Sequence, residues 1–159
     1  MSENTALAGR IRESIAELEN VVTRTVHLAE KALKTKDDDY WDGVALNLHG
    51  FYTGAERIFE DIARTIDESL PTGSDWHRDL LLQISAEEIG VRPAVIARDT
   101  RKCLDEYRGF RHVVRSMYTF SLRPSRIKEL VEGLMACFDM VSRDLNQFAA
   151  FLESLIKED

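Results

Sequence analysis

The feature that most constrains this chain is the length of its apolar stripes. Residues 5–34 place Leu7, Ile11, Ile15, Leu18, Val22, Val26, Ala29 and Leu33 at steps of three and four, and residues 124–157 do the same with Ile127, Leu130, Leu134, Cys137, Phe138, Val141, Leu145, Phe148, Leu152 and Leu155. A step of three or four residues keeps side chains on one face of a helix turning 3.6 residues at a time, so each segment reads as one long amphipathic helix. Two such helices need partners of similar length. Residues 40–69 supply one, with Val44, Leu48, Phe51, Ala55, Ile58, Phe59, Ile62 and Ile66 inward, and residues 94–119 supply another. A shorter helix near 75–88 carries Leu80, Leu81, Leu82 and Ile84.

The breaks agree with this division. Asp37-Asp38-Asp39 closes the first helix and suits the start of the second, where acids meet the positive end of the helix dipole. Pro71-Thr72-Gly73-Ser74-Asp75 is a loop, Gly90 and Pro93 separate the third and fourth helices, and Ser121-Leu122-Arg123-Pro124 separates the fourth and fifth. No segment shows sustained period-two alternation. Long helices with short connections pack antiparallel, which gives an all-α, up-and-down bundle of four main helices plus one short helix. With 159 residues and no linker, the whole of 1–159 is expected to form a single helical domain. No stretch has the roughly 18 apolar residues of a membrane span. The amino-terminal segment lacks the charged-then-apolar order of a secretory signal. With two cysteines, a disulfide scaffold is excluded, and a cytoplasmic, reducing setting is expected.

The net charge of −7 argues against nucleic acid, but its distribution does not. Residues 98–128 hold nine Lys/Arg against three acids, while the remainder of the chain is strongly acidic. A basic segment within an acidic protein is a local anion site or a solvated helix face. At about 100° per residue, Arg108, Arg111, His112 and Arg115 share one arc of the fourth helix and Thr119 extends it. Cys103, Phe110, Val113, Val114 and Met117 fall on the other side. Guanidinium groups are fork-shaped donors for phosphate oxygens, and an imidazole moves protons near neutral pH. Cleavage of RNA by its own 2′-hydroxyl needs those two things. The simpler alternative is a basic surface neutralised by Asp105 and Glu106.

Other chemistries lack their residues. None of His27, His49, His77 and His112 follows a Glu by three positions, as carboxylate-bridged metal bundles require, and Cys103 and Cys137 form no CxxC. Phosphate-binding glycine loops and a GxSxG elbow are missing. No metal or other cofactor is expected, and His27, His49 and His77 read as helix residues with hydrogen-bond partners.

The segment Tyr107-Arg108-Gly109-Phe110-Arg111-His112-Val113-Val114-Arg115-Ser116-Met117-Tyr118, with Thr119-Phe120 and Arg123-Pro124 after it, resembles the HEPN superfamily. More closely it is similar to the HepT-like components of prokaryotic toxin–antitoxin loci. The run Trp41 to Arg57 is similar to the second helix of the same group, and the resemblance spans about 5–157. It implies an all-α bundle that dimerises with its motifs facing a cleft, and in many members a metal-independent endoribonuclease partnered with a minimal nucleotidyltransferase antitoxin. The motif has an Arg, a polar residue, and a His about five positions after the Arg, followed two later by Tyr. Aligning Arg111 with the motif Arg puts His112 at the polar position, Ser116 at the His position and Tyr118 at the Tyr position. That Tyr is the one an antitoxin modifies with AMP. Ser116 departs from the pattern, because a hydroxyl has no useful basicity near pH 7. A second alignment pairs Arg108 with His112 at i, i+4.

Two readings follow. In one, a HepT-like endoribonuclease toxin acts on RNA phosphodiesters through Arg111, His112 and Arg115, with Arg108 also on the phosphate. In the other, a catalytically silent HEPN subunit binds a nucleotide or a nucleotidyltransferase in a regulatory role. A plain interaction module, its Arg face paired with acids on another chain, is the third and weakest.

Overall fold

In the computed structural model the chain is described over residues 2–116 and 123–156, with backbone alone at 111–116 and 156. The order is α1 (Glu3–Thr35), α2 (Asp39–Ile62) running into a π-helical turn (Ala63–Asp67), α3 (Trp76–Ile84), α4 (Arg98–Ser116) and α5 (Pro124–Ile156). Among the described residues there is no strand, only an isolated bridge between Glu88 and Arg92. The expected all-α bundle of four main helices and one short one is what forms.

Helix starts and stops follow local chemistry. Ser2 accepts the Thr5 amide at the start of α1, and Lys36, in the left-handed conformation, closes it by donating its N–H to the Ala32 carbonyl. The Asp37 carboxylate accepts the Asp39 amide at 3.0 Å, so the acidic run does open α2.

Long-range ties give the directions. Arg10 forms a double hydrogen bond with Asp61, and Leu18 packs on Gly54, so α1 and α2 are antiparallel. Gly54 has a structural reason here, since a Cβ would stand 2.8 Å from a Leu18 methyl. Arg12 near the start of α1 meets Asn146 and Glu153 late in α5, so those helices are antiparallel too. Thr100 bonds to Asp144 and Tyr107 to the Leu130 carbonyl, which makes α4 antiparallel to α5. The C-terminal end of α4 therefore lies with the starts of α2 and α5.

The core stripes hold with two corrections. In α1 the buried row is Leu7, Ile11, Ile15, Leu18, Val22, Thr25, Ala29 and Ala32, while Val26 is half-buried and Leu33 is 58% exposed. Helix rotation, not hydropathy, decides which neighbour turns inward. Thr25 fits because its hydroxyl donates to the Val21 carbonyl at 2.6 Å. The fourth helix begins at Arg98, not 94, because Val95 and Ile96 are both buried in an irregular segment anchored by the Val95 amide on the Ile84 carbonyl.

Candidate functional site

The basic segment maps onto α4 and the beginning of α5, and three ties position it. At the first turn of α4 the buried Asp144 of α5 accepts the Ala97 amide at 2.9 Å and the Thr100 hydroxyl at 2.5 Å. One turn later Cys103 is joined to Cys137 by a disulfide, with Cα atoms 5.8 Å apart. A further turn on, the Tyr107 hydroxyl donates to the Leu130 carbonyl at 2.6 Å, with its ring edge-on to Phe51 of α2. Burial pushes the Tyr107 phenol well above its ordinary pKa. Glu106 adds to that shift, and the positive charge of Arg126 opposes it. Along α5 the partners recede by sevens: 144, 137, 130. The sequence showed the two cysteines 34 residues apart and outside any CxxC; the fold brings them together as a bonded pair.

The motif follows the last tie. Thr100, Leu104, Tyr107 and Phe110 form a buried row stepping by four, three and three. The motif residues Arg111, His112 and Arg115 follow it on the same helix. Arg111 comes directly after that row, about 6 Å along the axis from Tyr107. Phe110, which the sequence expectation set on the apolar side, is buried. The backbone remains α-helical through Ser116, so Arg108, Arg111, His112 and Arg115 share an arc of about 100°. Arg111, His112, Arg115 and Ser116 are described in backbone only, and Tyr118 and Thr119 lie outside the described residues.

Arg108 is described in full. Its Nε donates to the Asp105 carboxylate at 2.7 Å, with the two side chains 27% and 53% exposed. That is the neutralising acid anticipated from the sequence. A surface pair one turn apart is worth little, so a phosphate can compete for the guanidinium. The antiparallel register brings α5's first turns level with the motif, adding Arg123, Arg126 and Lys128. Arg126 pairs with Glu129 at 3.1 Å, and the Lys128 ammonium sits 5.5 Å over the Trp41 ring at the start of α2. The positive end of the α5 dipole points the same way.

Two buried polar clusters elsewhere gave no local signal. His77 is stacked on Trp76 and its Nδ1 lies 2.6 Å from the buried Glu56 carboxylate, which fits its reading as a partnered helix histidine. Arg92, its side chain 1% exposed, makes a fork with Asp67 and donates to the carbonyls of Gln83, Ala86 and Pro93. Both pairs span more than twenty residues. Surface grooves between α1 and α2, one of about 450 Å³ lined by Arg10, Glu17, Arg57, Asp61 and Arg64, carry mixed charge. Among the described residues no cluster of His, Cys, Asp or Glu could hold a metal ion. No helix there is long and apolar enough to cross a membrane.

Comparison with known proteins adds one positive result. Residues 43–152 match the family described as HepT-like protein. No curated protein and no solved structure matches. The matched segment runs from early α2 to late α5 and includes all of α4 with its Arg/His motif. The chain belongs to the HepT-like family of HEPN proteins.

Proposed function

We propose that this protein is the HepT-like component of a toxin–antitoxin pair and cleaves RNA without a metal ion at the α4 face. The observation that supports the reading is that α4 stays helical through Ser116, which gathers Arg108, Arg111, His112 and Arg115 on one arc level with the basic start of α5. Cations gathered on one arc need an anion or water beside them, because an unpaired guanidinium in a dry site is too costly to keep. In this reading Arg111, Arg115 and Arg108 bind the scissile phosphate and stabilise the extra charge of the phosphorane. The imidazole of His112, at i+4 from Arg108, takes the proton from the attacking 2′-hydroxyl. The 5′-oxygen leaves, and a 2′,3′-cyclic phosphate remains. Two copies of α4 bordering one groove would double the number of cations along the RNA. The partner is a minimal nucleotidyltransferase, and Tyr118 is the position it would modify with AMP, placing negative charge beside the arginines.

The experiment is incubation of the purified protein with RNA in EDTA, followed by end-group analysis. Cleavage leaving 2′,3′-cyclic phosphate, and a loss of about 10²–10⁴-fold in His112→Ala, is the expected result. Intact RNA after prolonged incubation overturns the nuclease reading. A second reading is favoured by Ser116, which occupies the family's His position. There the same cationic face binds a nucleotide or the nucleotidyltransferase and cuts nothing.

A further inference from the structure

The three ties between α4 and α5 are chemically unequal. Asp144 with Thr100, and Tyr107 with Leu130, are hydrogen bonds that persist in any redox setting. The middle tie, Cys103–Cys137, is covalent and reversible. The two residues also differ in burial: Cys103 is half-buried and Cys137 is 2% exposed. The Cα separation of 5.8 Å lies within the ordinary disulfide range, so the bond closes on the packed helices without moving them apart. The open form is also accommodated. Cys103 Sγ lies 3.1 Å from the Thr100 carbonyl, which gives the thiol an acceptor once the bond is broken. Cys137 sits in the apolar stripe of α5, where a thiol behaves as a small hydrophobe.

We propose that Cys103 and Cys137 are a redox-responsive staple, opened and closed by exchange with low-molecular-weight thiols and disulfides, that sets how firmly the motif-bearing end of α4 is held on α5. Closure begins at the less buried cysteine. The Cys103 thiolate attacks an external disulfide, one external thiolate leaves, and a mixed disulfide forms at Cys103. The Cys137 thiolate then attacks Cys103 Sγ and expels the second external thiolate, so one external disulfide is reduced to two thiols as the protein dithiol is oxidised. Opening is the reverse. The staple lies five residues before Arg108 on the same helix. Closing it removes the relative sliding and rotation of α4 and α5 that two hydrogen bonds alone permit. This inference does not rest on RNA cleavage.

The test uses the full chain equilibrated in glutathione buffers of graded poise, trapped with an alkylating agent and weighed intact. The expected result is a single transition between a doubly alkylated and an unalkylated form as the buffer becomes oxidising. The unalkylated form should melt at a temperature higher by roughly 5–10 °C. Its backbone amides over 104–116 should also exchange more slowly with solvent, by about tenfold or more. Cys103→Ala, at a half-buried site, should fix the open behaviour in every buffer. The proposal is overturned by a pair that remains fully alkylated in the most oxidising buffer, or by open and closed forms with the same exchange over 104–116. A pair that resists reduction in native protein overturns it too, since a permanent bond regulates nothing.

Discussion

At the residue scale, the decisive substitution is the one that sets Ser116 where the family places its histidine. A serine hydroxyl does not accept a proton near neutral pH, so in the nuclease reading the proton transfer falls to His112. Ser116→His restores a His five positions after Arg111 on a helix already formed through that position. The expected outcome is faster RNA cleavage than wild type under identical conditions, read by gel. Cleavage that appears only in the variant would assign wild type to the binding role. The residue types and spacings of the Arg/His face were legible in the sequence because they are local to one helix. The pairing of Arg108 with Asp105 was legible for the same reason. That the basic first turns of α5 stand level with this face was not legible, because it depends on the register of α4 against α5.

At the element scale, α4 is held by groups that come from far along the chain. Asp144 does for its first turn what a local capping residue usually does, and nothing in residues 94–98 announces it. Asp144→Ala leaves the Ala97 amide and the Thr100 hydroxyl without their acceptor. It should lower stability by about 2–4 kcal/mol in denaturant melts, with the loss of order concentrated in α4. The connection between α3 and α4 has its own lock. Burial alone would raise the Asp67 pKa, but the hydrogen bonds and charge of Arg92, with Gln83 assisting, outweigh it and hold the carboxylate below its usual value. A depressed folded-state pKa means stability that is fully present above the unfolded value of about 4 and lost as pH falls through the folded one. Acid titration of thermal stability should therefore show a decline below about pH 4 that is absent in Asp67→Asn. That variant should already be weaker by about 3–5 kcal/mol at neutral pH, because Arg92 remains buried without its counter-ion. The helix boundaries that the sequence missed, at 84 and 98, are where this lock replaces helix with irregular chain.

At the scale of the whole molecule, the four long helices, their order and their antiparallel directions follow from stripe length and short connections, and the family match over 43–152 accords with them. The charge asymmetry also acts at this scale. Pressing two basic α4 faces directly together in a dry interface would cost several kcal/mol, so a dimer built on them must keep a wet groove between. A sedimentation profile dominated by dimer at micromolar concentration is the expected outcome, with the dimer fraction increased by added polyanion. A monomer at all concentrations and with polyanion present would remove the groove from the account. Most direct is the salt dependence of RNA affinity for wild type, Arg111→Ala and Arg115→Ala, since it asks whether the α4 cations touch phosphates whether or not the RNA is cut. The logarithm of affinity should fall steeply with the logarithm of salt for wild type, and each substitution should reduce that slope by about 0.7–1 while weakening binding. Slopes identical across the three proteins, or RNA that does not bind wild type even at low salt, would contradict the assignment of this face to RNA.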